Sequence, residues 1–257
     1  MVDNVFPFKS YIPDYVNGLR IINNATTPLT KIDVLQGSCI DMEGIYQITL
    51  SSTVTIDATV NGINGLDKGS FSSLTVYAVY LVADPVELNP TGAIISESFT
   101  EPTLPYGYTA FKLIGYAVSD PGAAQFSKGY WTGGKTNQRW FYFDEQQILI
   151  LSQSGKAIDY DEGLTSLTGR VPAIDNTPVI FAALFEPDAA GNEAHFQGSR
   201  AAGDQKVITA QVASVPITQQ INLLAQVLFP PILEFSYKVT DTNDTLSLSL
   251  VGFGFVV

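Results

Sequence analysis

Apolar and polar residues alternate with a period of two at several places in the chain. In residues 53–60, Val54, Ile56, Ala58 and Val60 fall on one face and Thr53, Thr55, Asp57 and Thr59 on the other. In Leu233–Val239, Leu233, Phe235, Tyr237 and Val239 oppose Glu234, Ser236 and Lys238, and Tyr46, Ile48 and Leu50 repeat the pattern within Gly44–Leu50. Successive side chains of an extended chain point to opposite sides, so each segment predicts a strand with one buried face.

A second group of segments is apolar on both faces: Leu74–Val82, Trp140–Phe143, Ile148–Leu151 and Val251–Val257. These predict central strands, or strands whose second face is covered by another subunit. Val251–Val257 matters most here, because Phe253 and Phe255 need cover on both sides. It is either inserted in its own sheet or part of a subunit contact, and both readings stand. Turn signals punctuate the strands at Asn61-Gly62, Asn64-Gly65, Pro90-Thr91-Gly92, Pro121-Gly122, Gly133-Gly134 and Asp241–Asp244. Short strands at this density predict an all-β fold, an antiparallel β-sandwich of jelly-roll type that can divide into two packed halves. Ile221, Leu224, Ala225 and Leu228 fit a helical stripe, but Pro230-Pro231 ends it, so a short helix or a strand is expected there. Residues 1–17 form a separate N-terminal arm: Phe6, Phe8, Tyr11, Ile12 and Tyr15 are interleaved with Pro7 and Pro13 and show neither period. The arm is expected to dock on a neighbour through Phe6, Phe8, Tyr11 and Tyr15, the alternative being that it drapes over its own sandwich. Residues 18–257 are the β region, with a soft boundary at Gly133–Asn137 between two domains or two hairpins.

Composition supports this reading. Hydrophobic residues make up 46% and charged residues 15% of 257, enough apolar material for a substantial core. The abundance of Phe and Tyr, fifteen and twelve, favours pleated surfaces over helices. A net charge of -12 with only 13 Lys and Arg argues against a nucleic-acid partner. No apolar run approaches the ~20 residues of a membrane helix, and the opening MVDNVFPFKS lacks the charged and apolar regions of a secretory signal. A soluble protein made in the cytoplasm, without membrane insertion, is expected. Cys39 is the single cysteine, which excludes an intrachain disulfide and predicts a small buried strand residue.

Three stretches carry a resemblance: GLRIINNATTPLTKIDVLQG at Gly18–Gly37, VYAVYLVADPVELNPTGAIISESFTEPTLPYGYT at Val76–Thr109 followed by AFKLIGY at Ala110–Tyr116, and the closing EFSYKVTDTNDTLSLSLVGFGFVV. Together they resemble a family of tailed-bacteriophage virion structural proteins with tail-fibre-type β modules. One departure is small: Lys112-Leu113 stands before Ile114-Gly115 where the family commonly carries two basic residues. The resemblance implies a non-enzymatic virion component, synthesised in the host cytoplasm and associated with a tail fibre or baseplate. It would self-assemble, as a homo-oligomer of trimeric type, and dock to other virion proteins, with capsid decoration or head fibre as the alternative. No heptad seam is present to impose a trimer. Phe253 and Phe255, with the arm aromatics, are then the expected partner contacts.

Catalytic chemistry finds few candidates. The one histidine, His195 in GNEAHFQG, has no G-x-S-x-G elbow to supply a nucleophile, and one His with one Cys excludes a His/Cys metal cluster. No phosphate-cradling motif occurs, so no cofactor is expected. Asp159, Asp161 and Glu162, and the closing turn Asp241, Asn243 and Asp244, are acidic enough for Ca²⁺ but match no twelve-residue calcium loop. They read more simply as solvated turns. A depolymerase would need two carboxylates roughly 5–10 Å apart, which spacing along the chain does not reveal. Aromatics in loops offer the best route to a host surface glycan: Tyr130 and Trp131 before Gly133-Gly134, and Tyr106 at the corner Leu104–Tyr108. Flat rings there suit sugar faces, although buried loop anchors look the same in sequence.

Overall fold

The computed structural model describes residues 6–7, 15–86, 88–132, 138–144, 148–154, 164–174, 177–198, 205–229 and 232–256. Every element among them is a strand, and the ladders whose register is described are antiparallel. The chain is an all-β protein of packed antiparallel sheets. No helix among the described residues is long and apolar enough to cross a membrane. The chain divides into two compact units, Met1–Phe141 with Phe255–Val257, and Tyr142–Gly254. The anticipated boundary at 133–137 and most of the arm (1–5 and 8–14) lie outside the described residues.

The first unit contains β1 (Phe6–Pro7), β2 (Val16–Gly18), β3 (Ile21–Asn23), β4 (Lys31–Val34), β5 (Gly37–Ile40), β6 (Tyr46–Leu50), β7 (Val54–Asp57), β8 (Val76–Ala83), β9 (Gly92–Ser96), β10 (Ala110–Val118), β11 (Gly129–Thr132) and, up to Phe141, β12 (Gln138–Phe143). They form a four-stranded sheet ordered β1-β6-β5-β2, a three-stranded sheet ordered β10-β8-β9, and a run ordered β12-β11-β3-β4-β7. All eight residues of β8 are buried, as its two-sided apolar sequence requires of a central strand. β7 stops at Asp57, short of the predicted Val60, because the carboxylate takes the Thr59 amide (3.0 Å) and hydroxyl (2.6 Å) and turns the chain. Ile56 and Ala58 are buried while Val60 is exposed.

Between β2 and β3 the chain leaves one sheet and enters another. Gly18 (φ 71°) and Leu19 (φ 51°) both take the left-handed conformation. Gly18 and Gly37 face each other across the β2–β5 ladder. A Cβ on Gly37 would lie 2.3 Å from the Asn17 carbonyl oxygen and 2.4 Å from the Leu19 nitrogen, so only glycine fits. Buried Arg139 locks this corner. Its guanidinium donates to the carbonyls of Gly18 (2.9 Å), Leu19 (3.0 Å) and Ile114 (3.1 Å). Ile114 sits at a β-bulge in the β10–β8 ladder, where an extra residue interrupts the pairing between Leu113 and Gly115. The arginine thus takes carbonyls at two places where regular pairing is interrupted. Burial lowers its pKa from the ordinary arginine range, and the nearby Cys39 opposes that shift.

The second unit contains β13 (Ile148–Ser154), β14 (Leu164–Ser166), β15 (Thr177–Glu186), β16 (Glu193–Gln197), β17 (Gln205–Thr209), β18 (Ile217–Phe229), β19 (Ile232–Val239) and, up to Gly254, β20 (Thr245–Val256). The order is β17-β16-β19-β18-β15-β20, with β13 on β20 and β14 on β19. The ambiguous segment 221–228 is strand: in β18, Ile221, Leu223 and Ala225 are buried and Leu224 is exposed, the period of a pleat. Phe181 and Phe235 stack in the core, 4.6 Å apart. In β20 the buried residues change parity, from Leu246, Leu248 and Leu250 to Phe253. A bulge explains this: Phe181 pairs with Leu250 and Ile180 with Gly252, so Val251 is extra. The inserted residue turns LSLSLVGFGF back toward the core.

Candidate functional site

Among the described residues, the most exposed apolar side chains lie on two loops of the first unit, 84–91 and 104–109. Buried Asp84 organises the first loop, accepting from the Val86 amide at 3.0 Å and from Asn89 Nδ2 at 2.9 Å. The second loop is tied to it by Tyr108, whose hydroxyl donates to the Pro90 carbonyl at 2.8 Å. Gly107 (φ 89°) lets the loops close, since a Cβ there would lie 2.6 Å from Asn89 Nδ2. Burial, and then the charge of Asp84, raise the pKa of Tyr108, so its hydroxyl keeps its proton as a donor. These anchors leave Val86 72% exposed, Leu88 83% exposed and Tyr106 fully exposed. Tyr106, a candidate from the sequence, is therefore held outward by a buried polar frame. Val86 and Leu88 were not anticipated; VELNP shows only that its flanks are turn residues.

The other expected contact residues are placed differently. Trp131 is 7% exposed, with Phe141 and Phe255 at centroid distances of 4.7 and 5.0 Å. An enclosed indole has no free face for a sugar, which corrects the glycan expectation at that residue. Its strand neighbour Tyr130 is exposed, as alternation along β11 dictates. Phe253 and Phe255 are buried within their own chain, Phe255 edge-on to Tyr116 at 4.9 Å. Neither ring is on offer to a second subunit, so of the two readings of the C-terminal strand the structure has the inserted one. Tyr15 is half-buried and its carbonyl accepts from Ile40 at 3.0 Å. The backbone of Phe6 pairs with Gln47. The Phe6 side chain, Phe8, Tyr11, Asp159, Asp161 and Glu162 lie outside the described residues.

A second surface comes from register. Asn17, Ser38 and Thr49 lie opposite one another across β2, β5 and β6, and Gln47 shares the Thr49 face two residues along. With Gln36 and Ser51 they line an open groove of about 510 Å³ with no charged side chain in its wall. The sequence carried a signal for it, neutral polar residues at period two in Gln36/Ser38 and Gln47/Thr49/Ser51. What it lacked was the pairing that aligns them.

His195 is engaged on both ring nitrogens, with Glu193 Oε2 at 2.9 Å and with Gln205 Nε2. Glu193 Oε1 accepts from the Thr209 hydroxyl at 3.2 Å, which makes a polar strip across the β16–β17 hairpin. Cys39 is fully buried, and burial pushes its thiol up to about 12. Among the described residues no group of three or more His, Cys, Asp and Glu side chains converges to hold a metal ion.

No protein-family model and no curated protein matches the chain. Solved structures similar to it include a carbohydrate-binding module from Cellvibrio mixtus lichenase 5A in complex with cellotriose. That match has 13% identity and a TM-score of 0.20, over 51% of this chain and 88% of the module. Another is exo-β-1,3-galactanase from Phanerochaete chrysosporium with galactose, at 12% identity and a TM-score of 0.20, over 91% of this chain and 56% of that one. Likeness at this level carries no argument about function.

Proposed function

We propose that this protein is a non-enzymatic structural component of a tailed-phage virion, of the tail-fibre or baseplate kind, and that it works by docking to other virion proteins. The observation that carries this reading is the apolar tip Val86, Leu88 and Tyr106, presented outward by loops fixed through Asp84, Asn89 and Tyr108. Exposed apolar groups gathered on an ordered frame mark an association surface. The resemblance of Val76–Tyr116 to virion proteins concerns the same stretch. The test is incorporation. Particles assembled with Leu88→Asp and Tyr106→Asp should lose the protein, measured by mass spectrometry of purified virions, while the isolated variant keeps its unfolding midpoint. Wild-type incorporation of the double variant would refute the surface, and absence of the wild-type chain from purified particles would refute the function.

A second reading rests on the uncharged groove. Amides and hydroxyls in a shallow strip match the donors and acceptors of a neutral sugar chain. Here the protein would be a receptor-binding module for a cell-surface glycan. Glycan-array binding that is lost in Asn17→Ala with Thr49→Val would support this reading, and binding retained in that variant would exclude the groove.

A further inference from the structure

The second unit contains a buried carboxylate that its own surroundings leave half satisfied. Asp244 ends the turn between β19 and β20 and is 1% exposed. Its Oδ1 accepts from the Asp188 amide at 2.8 Å and from Asn192 Nδ2 at 2.9 Å. Its Oδ2 is enclosed and meets no donor. A buried carboxylate oxygen without a partner is costly, and native structures rarely leave one so.

The surroundings add acceptors. Asn192 Nδ2 also donates to Asp188 Oδ1 at 2.7 Å, so one amide nitrogen lies between the oxygens of two carboxylates. The loops that meet here, residues 187–192 and 240–244, contain Asp188, Asp241 and Asp244 and no Lys or Arg. They are fastened to each other: the Thr240 amide donates to the Glu193 carbonyl and the Glu193 amide to the Thr240 hydroxyl, at 2.9 and 2.7 Å.

We propose that Asp244 and Asp188, with the side-chain oxygen of Asn192, bind one hard divalent cation of the Ca²⁺ class at this end of the second unit. Amide orientation is a matter of which partner is present. With a cation in place, the Asn192 side chain turns its oxygen toward the metal and gives up the bridging N–H bonds. Two carboxylates and an amide are three oxygen ligands, and Ca²⁺ accepts backbone carbonyls and water for the rest. The site would fasten the β15–β16 loop to the β19–β20 turn, and it is independent of the docking and glycan readings.

The experiment uses the full chain freed of metal by EDTA. Isothermal titration with CaCl2 is expected to give one site, with a Kd of about 10⁻⁴ to 10⁻³ M. The unfolding midpoint of the second unit should rise by several degrees (roughly 3 °C or more) in 10 mM CaCl2 over that in NaCl of equal ionic strength. Asp188→Asn should abolish both effects, and Asp244→Asn should do the same. If Asp244→Asn does not fold, the Asp188→Asn variant decides, because Asp188 is exposed. No heat and no shift with the wild-type protein overturns the proposal. So does a shift that matched NaCl reproduces, or one that survives in Asp188→Asn.

Discussion

Replacing Arg139 by methionine removes the charge and all the donors but keeps most of the side chain's volume. Three backbone carbonyls, of Gly18, Leu19 and Ile114, then lose their partner. Backbone acceptors cannot be mutated away with the donor, so this differs from exchanging a whole ion pair for apolar residues. A hydrogen bond to a charged group contributes about 1.5–3 kcal/mol, and an orphaned buried acceptor costs about 1–3 kcal/mol. The Gly18 carbonyl is only partly buried and can regain water, which leaves two carbonyls fully affected. Against this stands the desolvation cost of a buried guanidinium, which the variant no longer bears. The balance is a loss of about 3 kcal/mol in the first unit. Both tryptophans, Trp131 and Trp140, belong to that unit. Urea unfolding followed by tryptophan fluorescence therefore reads it directly. Arg139→Lys should fall between, since one ammonium cannot span the three positions that the guanidinium fork reaches. If Arg139→Met unfolds within about 0.5 kcal/mol of wild type, the carbonyl-locking argument fails.

Three further outcomes follow from the same geometry. Gly37→Ala puts a methyl group against the backbone of Asn17 and Leu19 and should cost about 3 kcal/mol, read as a lower urea midpoint of the tryptophan signal; an unchanged midpoint would contradict the close approach. The pKa of Asp57 is lowered from 3.8 to about 2 by the Thr59 hydroxyl and amide, and then by Lys31 at 2.9 Å. A depressed carboxylate stabilises above its unfolded pKa, and that contribution is lost as pH falls from about 4 to about 2; because the group is near solvent it is worth about 1 kcal/mol at most, and the stability gap between wild type and Asp57→Ala should narrow across that window. The Cys39 thiol, buried and held up to about 12, should react with a disulfide reagent at pH 8 only as fast as the first unit opens, with prompt labelling of the native protein as the contrary result.

Local patterning decided the fold class. Alternation in Gly44–Leu50 and Leu233–Val239, and the two-sided apolar run at Leu74–Val82, each read as strand in sequence, and the structure has strands there at Tyr46–Leu50, Ile232–Val239 and Val76–Ala83, because strand periodicity needs only neighbouring residues. Segment 221–228 stayed ambiguous because a short apolar run fits both periods; pairing with β15 and β19 made it strand. The exposure of Tyr106 was legible from its corner LPYGY, whereas the burial of Trp131, Phe253 and Phe255 was not, since an aromatic that fills a core and one that faces a partner are spelled alike. Val86 and Leu88 became a surface only when Tyr108 tied one loop to the other. Arg139, the aligned Asn17, Ser38 and Thr49, and the half-satisfied Asp244 depend on groups brought together from 25 to 121 residues away for Arg139, and from 52 and 56 residues away for Asp244. The sequence alone settled the fold class and most of the segments that extend, with 221–228 and the end of β7 left to the structure. Only tertiary pairing decided which polar groups meet, because register and loop closure bring together residues whose spacing in the chain carries no sign of it.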